Sequence, residues 1–137
     1  MANMRAGVIG AGFIGPVHIE ALQRLGVRVT SVCDFDEAKA RAAALKWSIP
    51  SVVTGQEYRR LVESPEVDVV HIASPNRYHH EMALAAIHGG KHCVCEKPLA
   101  MNSRETARIA QAARAAKTIF AVNYNVRFYP AVLALRR

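Results

Sequence analysis

The sequence predicts an α/β fold built on a doubly wound parallel sheet of about six strands with helices on both faces. Three observations predict it. Short β-branched apolar runs alternate with segments of helical periodicity along the 137 residues, which is the pattern of successive βα units. A glycine-rich turn, Gly10-Ala11-Gly12-Phe13-Ile14-Gly15, joins the first apolar run directly to the first helical segment. An acidic residue, Asp34, closes the second run about 20 positions later.

Taken in order, residues 5–10 read as the first strand, and Ile14, Val17, Ala21, Leu22 and Leu25 recur at helical spacing until Gly26 supplies a stop. Residues 27–33 form the second strand. Asp36 caps a helix over 37–46, and residues 50–53 are a short third strand closed by Thr54. Thr54 and Glu57 have the spacing of a capping box, opening a brief helix to Val62. Residues 67–73 are a strongly apolar fourth strand, and 77–88 a helix ended by Gly89-Gly90. Residues 91–95 make the fifth strand, the Asn102 and Glu105 pair opens a helix to about Lys117, and 119–123 are the sixth strand. The segment 127–137, with Val132, Leu133 and Leu135, reads as the start of another helix with no stop signal, the expectation for a fragment of a longer protein. Residues 1–126 are therefore expected to form one domain, and 127–137 the start of a connection to a further one.

Composition narrows the function classes. With 51% hydrophobic and 21% charged residues the chain is ordinary for a globular domain rather than a disordered or fibrous one. No apolar run approaches the roughly 20 residues of a membrane span, and residues 1–15 lack a basic leader and clean cleavage site, so a cytoplasmic protein is expected. The formal charge of +7 would suit a polyanionic partner, but the basic residues are scattered. Only Arg59-Arg60 and Arg136-Arg137 are adjacent, with no aromatic interleaving, so nucleic-acid binding is not expected. Cys33, Cys93 and Cys95 lie inside apolar runs and read as small buried side chains of a reducing compartment. His79, His80, His88 and His92 with Cys93 and Cys95 lack the spacing of a metal site, and no metal is expected.

The glycine turn matches the G-x-G-x-x-G fingerprint of Rossmann dinucleotide-binding domains in its required strand-to-helix context. The first glycine allows the tight turn, the second admits a pyrophosphate against the backbone, and the third lets helix and strand pack closely. Asp34 is placed to accept hydrogen bonds from the adenosine ribose hydroxyls. Neither Phe35 nor Asp36 offers a cation for a 2′-phosphate, so NAD is favoured over NADP. Ser74-Pro75-Asn76 and Glu96-Lys97-Pro98 follow the fourth and fifth strands at the sheet edge where such folds bind ligands.

These motifs resemble the N-terminal domain of the Gfo/Idh/MocA oxidoreductases. The resemblance rests on the glycine loop with His18, on Val32-Cys33-Asp34, on Ser74-Pro75-Asn76 with His79 and on Gly90-Lys91-His92. It extends to Glu96-Lys97-Pro98 and to Asn125 with Arg127-Phe128 and Pro130. It implies that Lys97 is catalytic and reaches both the nicotinamide ribose and a substrate hydroxyl, with Glu96 holding the ribose or orienting the lysine. It implies that Gly10, Gly12, Phe13, Ile14, Gly15, Asp34, Ser74, Pro75, Asn76, His79, Glu96, Lys97, Asn125 and Arg127 bind the cofactor. A cis Lys97-Pro98 bond, a sugar, cyclitol or similar polyol substrate, a homo-oligomeric parent and a second α/β domain carrying an Asp-x-x-x-His motif are implied as well. Neither that domain nor that motif is in this sequence, so the chain alone is expected to be inactive. A non-catalytic NAD-binding sensor is the alternative, and Glu96-Lys97-Pro98, which such a module does not need, argues for an enzyme.

Overall fold

The computed structural model describes residues 4–135, so Arg136-Arg137 and the end of the predicted last helix lie outside the described residues. Along the chain come β1 (Arg5–Ile9), α1 (Gly15–Arg24), β2 (Arg28–Asp34), α2 (Glu37–Trp47), β3 (Ser51–Thr54) and α3 (Tyr58–Glu63). There follow β4 (Val69–Ile72), α4 (His79–His88), β5 (His92–Glu96), α5 (Ser103–Ala115), β6 (Phe120–Asn123) and α6 (Pro130–Ala134). The strands lie in the order β3-β2-β1-β4-β5-β6, and every neighbouring pair is parallel. This is the doubly wound order expected, with the switch point between β1 and β4.

Strand parity, offset by one residue in β2 where its register with β1 shifts between Ala6 and Gly7, divides the core into two layers. Ala6 and Val8 of β1, with Val29, Val32 and Val69, pack beneath Ile19 and Leu22 of α1 and Ala43 and Ala44 of α2. Ile9, Cys33, Val70, Ile72, Cys93 and Cys95 face the other way, against Leu61 of α3, Met82 and Ala86 of α4 and Ile109 of α5. Cys93 and Cys95 thus share one face of β5, and burial pushes the Cys95 thiol up to about 12 and Cys93 higher still. They are core residues rather than nucleophiles.

Local signals account for most of the boundaries. Asp36 Oδ1 accepts from the N–H groups of Ala38 and Lys39 to cap α2. Asn102 Oδ1 accepts from Glu105 N at 3.0 Å, while Glu105 Oε2 reaches back to accept from Met101 N, one residue beyond a standard capping box. The expected Thr54–Glu57 capping box does not form. Gly55 takes a left-handed turn (φ 65°) that leaves Thr54 in β3 opposite Asp34, and Glu57 accepts from the Arg60 guanidinium instead. The helix predicted over 77–88 opens as a tighter turn, Asn76–Tyr78, before α4 proper. Residues Asn125–Phe128 likewise form a 3-10 turn ahead of the short α6.

The β1–α1 turn is the tightest junction in the fold. A Cβ at Gly15 would run into the Gly10 carbonyl oxygen, and Gly10 sits at φ 105° with the backbone of Ala73 and Ser74 against it. At Gly12, in contrast, a Cβ would meet nothing. Gly15→Ala is therefore expected to destabilise the chain by about 2 kcal/mol or more, read as the shift of its urea unfolding midpoint.

Candidate functional site

The carboxyl ends of β1, β2 and β4 border a cleft of about 590 Å³. Of the residues singled out in the sequence, Gly10, Gly12, Phe13, Ile14, Asp34, Ser74 and Pro75 line it. Helix α1 begins at its floor with no side-chain cap; Pro16 has no N–H and Val17 N and His18 N bond the Ile14 carbonyl, so the N–H groups left for an occupant of the cleft are those of Gly12 to Gly15. Open space at Gly12 and an uncapped helix start suit the pyrophosphate of a dinucleotide. Asp34 stands at the far wall, where Oδ2 accepts from Ala11 N (2.6 Å) and Oδ1 from Asp36 N (2.8 Å). One carboxylate thereby ties the glycine loop to the end of β2 and presents its edge to the cleft.

Several lining residues carried no signal in the sequence. Phe35 and Tyr78 stack with ring centroids 4.6 Å apart, and the Arg77 guanidinium lies 4.7 Å over the Tyr78 ring. Together with Tyr58 and Met82 they form an aromatic, cation-flanked wall suited to a flat heteroaromatic group. Lys39 also lines the cleft, one helical turn beyond Asp36, whose Oδ2 lies 3.6 Å from its ammonium. Neither position 35 nor position 36 carries a cation; helical spacing from the Asp36 cap is the signal that places one at 39.

The remaining expected residues lie elsewhere. Gly15 is a packing glycine beneath the loop. Asn76 is exposed at the start of the 3-10 turn. His79 is fully buried: its Nδ1 lies 2.8 Å from the Pro98 carbonyl and its Nε2 2.9 Å from that of Ser74. It spans the loop after β4 and the loop after β5. Asn125 and Arg127 are exposed past the end of β6, with the Arg127 guanidinium over the Phe128 ring. Nothing among the described residues brings them to the cleft.

Glu96 ends β5 on the same sheet edge, beyond β4, and Lys97 follows it. Lys97 is exposed, and its bond to Pro98 is cis, as the resemblance implies. Glu96 is nearly buried. Its Oε1 lies 3.0 Å from His18 Nε2 and accepts from Asn123 Nδ2 (2.6 Å), while Oε2 accepts from Lys97 N (3.2 Å). Burial alone would raise the pKa of this carboxyl, but the hydrogen bonds from His18, Asn123 and Lys97 outweigh it and hold the group below the usual carboxylate range. His18 Nδ1 in turn lies 2.8 Å from Nδ1 of His71, a β4 residue that the sequence reading passed over. Only the parity of β4 and its place beside β1 bring His71 under α1.

Burial, helped by the neighbouring His18, pulls the pKa of His71 down from 6.5 to about 4. The unfolded chain therefore binds a proton at this position that the folded chain refuses between those values. Its contribution to stability is complete above about pH 6.5 and is lost as pH falls toward 4. Chemical unfolding at pH 7 and pH 5 is expected to show His71→Asn losing about 2 kcal/mol less than the parent chain on acidification.

Comparison with known proteins agrees with this geometry. The family whose model matches residues 4–124 is described as an oxidoreductase family with an NAD-binding Rossmann fold, Gfo/Idh/MocA. The chain is 37% identical over 98% of its length to inositol 2-dehydrogenase 2 of Saccharopolyspora erythraea, of which it covers 40%. It is 31% identical to levoglucosan dehydrogenase of Pseudarthrobacter phenanthrenivorans, of which it covers 37%. Among solved structures, an NAD binding oxidoreductase from Klebsiella pneumoniae superposes with a TM-score of 0.86 at 41% identity, over 97% of this chain and 37% of that one. The chain thus spans between 29% and 41% of the length of curated relatives such as these. Its match over residues 4–124, the parallel sheet order and the glycine loop at the switch point together make the chain a member of the Gfo/Idh/MocA oxidoreductase family, corresponding to its NAD-binding Rossmann domain.

Proposed function

We propose that the chain is the NAD-binding part of a dehydrogenase that moves hydride between the nicotinamide and a secondary hydroxyl or carbonyl of a sugar, cyclitol or similar polyol. The observation that carries this reading is the placement of an ionised Glu96 and an exposed Lys97 on the sheet edge that also holds the glycine-loop cleft. Relatives named inositol 2-dehydrogenase, levoglucosan dehydrogenase and 1,5-anhydro-D-fructose reductase support the substrate class.

In this reading the helix start and Gly12 receive the pyrophosphate, Asp34 accepts from the adenosine ribose, and Phe35, Tyr78 and Arg77 flank the adenine. Ser74 and Pro75 line the passage toward β5. The nicotinamide, when bound, supplies the hydride acceptor or donor. Glu96 is already ionised and hydrogen-bonded on both oxygens, so it acts as a fixed anion that orients Lys97 through the backbone. Lys97 then assists removal of a proton from the substrate hydroxyl, beside the acid/base histidine of the Asp-x-x-x-His motif that the resemblance places in the parent's second domain. Asn76, Asn125 and Arg127 stand at the exposed nicotinamide end, where the rest of the parent protein contributes the remainder of the substrate pocket. The parent is a homo-oligomer in this reading and works in the cytoplasm.

NAD is preferred because the Asp34 carboxylate repels a ribose phosphate, while the Lys39 ammonium is drawn to Asp36. Fluorescence titration of the chain is expected to show NADH bound at least about tenfold more tightly than NADPH, a gap of about 1.4 kcal/mol. Gly12→Ala is expected to weaken NADH by a similar factor while its unfolding free energy stays within about 0.5 kcal/mol of the parent. Equal binding of NADPH would overturn the role given to Asp34, and undiminished NADH binding by Gly12→Ala would overturn the pyrophosphate placement.

A further inference from the structure

We propose that His18 and His71 are positioning residues for Glu96, locking one proton pattern along three side chains that holds the carboxylate ionised and aimed before Lys97. The inference rests on the reading of Glu96-Lys97 as the reacting end of the site, and it assigns work to two histidines outside the cofactor cleft.

The chain of contacts runs from α1 across β4 to β5. His71 Nδ1 lies 2.8 Å from His18 Nδ1, and His18 Nε2 lies 3.0 Å from Glu96 Oε1. The imidazole rings meet edge to face, their centroids 5.1 Å apart. His18 and Glu96 are both buried, and His71 is partly so. For two neutral rings, hydrogen-bond accounting then fixes the protons. Glu96 as a carboxylate only accepts, so His18 Nε2 carries a hydrogen. A neutral His18 has then a bare Nδ1, and the short contact with His71 is a hydrogen bond only if His71 donates from Nδ1. His71 is left with an unprotonated Nε2.

The pattern has a consequence for the site. Glu96 Oε1 takes donors from His18 on one side and from Asn123 on the other, while Oε2 accepts from the backbone N–H of Lys97. The carboxylate therefore has two fixed donors on the oxygen away from Lys97, which leaves Oε2 turned toward it. Replacing His18 by an apolar side chain removes one donor from a buried anion and leaves His71 Nδ1 without its acceptor. Gln is the informative substitution, since its amide can donate to Glu96 and accept from His71 at the same time.

The experiment is nitrogen-15 NMR on this chain, without nucleotide, at pH 8, with carbon-detected titration of the Glu96 carboxyl. His71 is expected to carry its proton on Nδ1 and His18 on Nε2, both rings neutral. In His18→Leu the Glu96 titration midpoint is expected to rise by about one unit or more, a shift of about 1.4 kcal/mol, and in His18→Gln to return to within a few tenths of the parent value. A His71 proton on Nε2, a charged His18, or a Glu96 midpoint unmoved in His18→Leu overturns the proposal. If His18→Leu does not fold, the parent tautomers and the His18→Gln midpoint decide it: a Gln variant that folds yet titrates well above the parent also counts against the lock. NADH titration of the parent chain separates the two readings. Loss of nucleotide binding with the tautomers as expected defeats the proposed function alone, and binding with the wrong tautomers defeats this inference alone.

Discussion

The close approach of Gly15 to the Gly10 carbonyl is the constraint on which the rest of the structure depends. Because no side chain separates them, the start of α1 packs closely against the turn that leaves β1. The uncapped first turn of α1 then opens into the switch point between β1 and β4. The same placement carries His18, one turn further along α1, over the β4 side of the sheet, where it meets His71 and Glu96. A single backbone contact thus sets both the cleft and the buried polar chain beside it.

Around that junction, polar side chains bind loops to one another rather than to solvent. Asp34 joins the end of β2 to the glycine loop, and His79 stands between the carbonyls of Ser74 and Pro98. His18, Asn123 and Lys97 N converge on Glu96. Asp34, His79 and Glu96 each tie together segments of different βα units, so the edge that faces the ligand is braced from below. Such bracing keeps a site in place with few ordered contacts above it.

Much of this was legible in the sequence, and the limits have physical causes. Glycine spacing, strand parity and capping residues are local, and they delivered the six strands, the helices and the residues of the cleft floor. The Thr54–Glu57 reading failed because a capping pattern does not specify backbone conformation, and Gly55 was free to turn the other way. Lys39 was missed for want of projecting helical spacing from Asp36. His71 was missed because its role needs the order of strands, since β1, β4 and β5 are neighbours only after folding. His79 matched a pattern near the cleft yet points into the core, because its position at the first turn of α4 faces the sheet.

The most direct test of the account is a map of amide chemical shifts as NADH is added to the chain. Changes are predicted to cluster at Gly10–Gly15, Asp34–Asp36, Ser74–Asn76 and Glu96–Lys97, in one fast or slow exchange process common to all four segments. A map in which Glu96 and Lys97 stay unmoved while the glycine loop responds would confine the nucleotide to one half of the edge and contradict the joined site. Changes confined to α5 and β6 would contradict the site altogether.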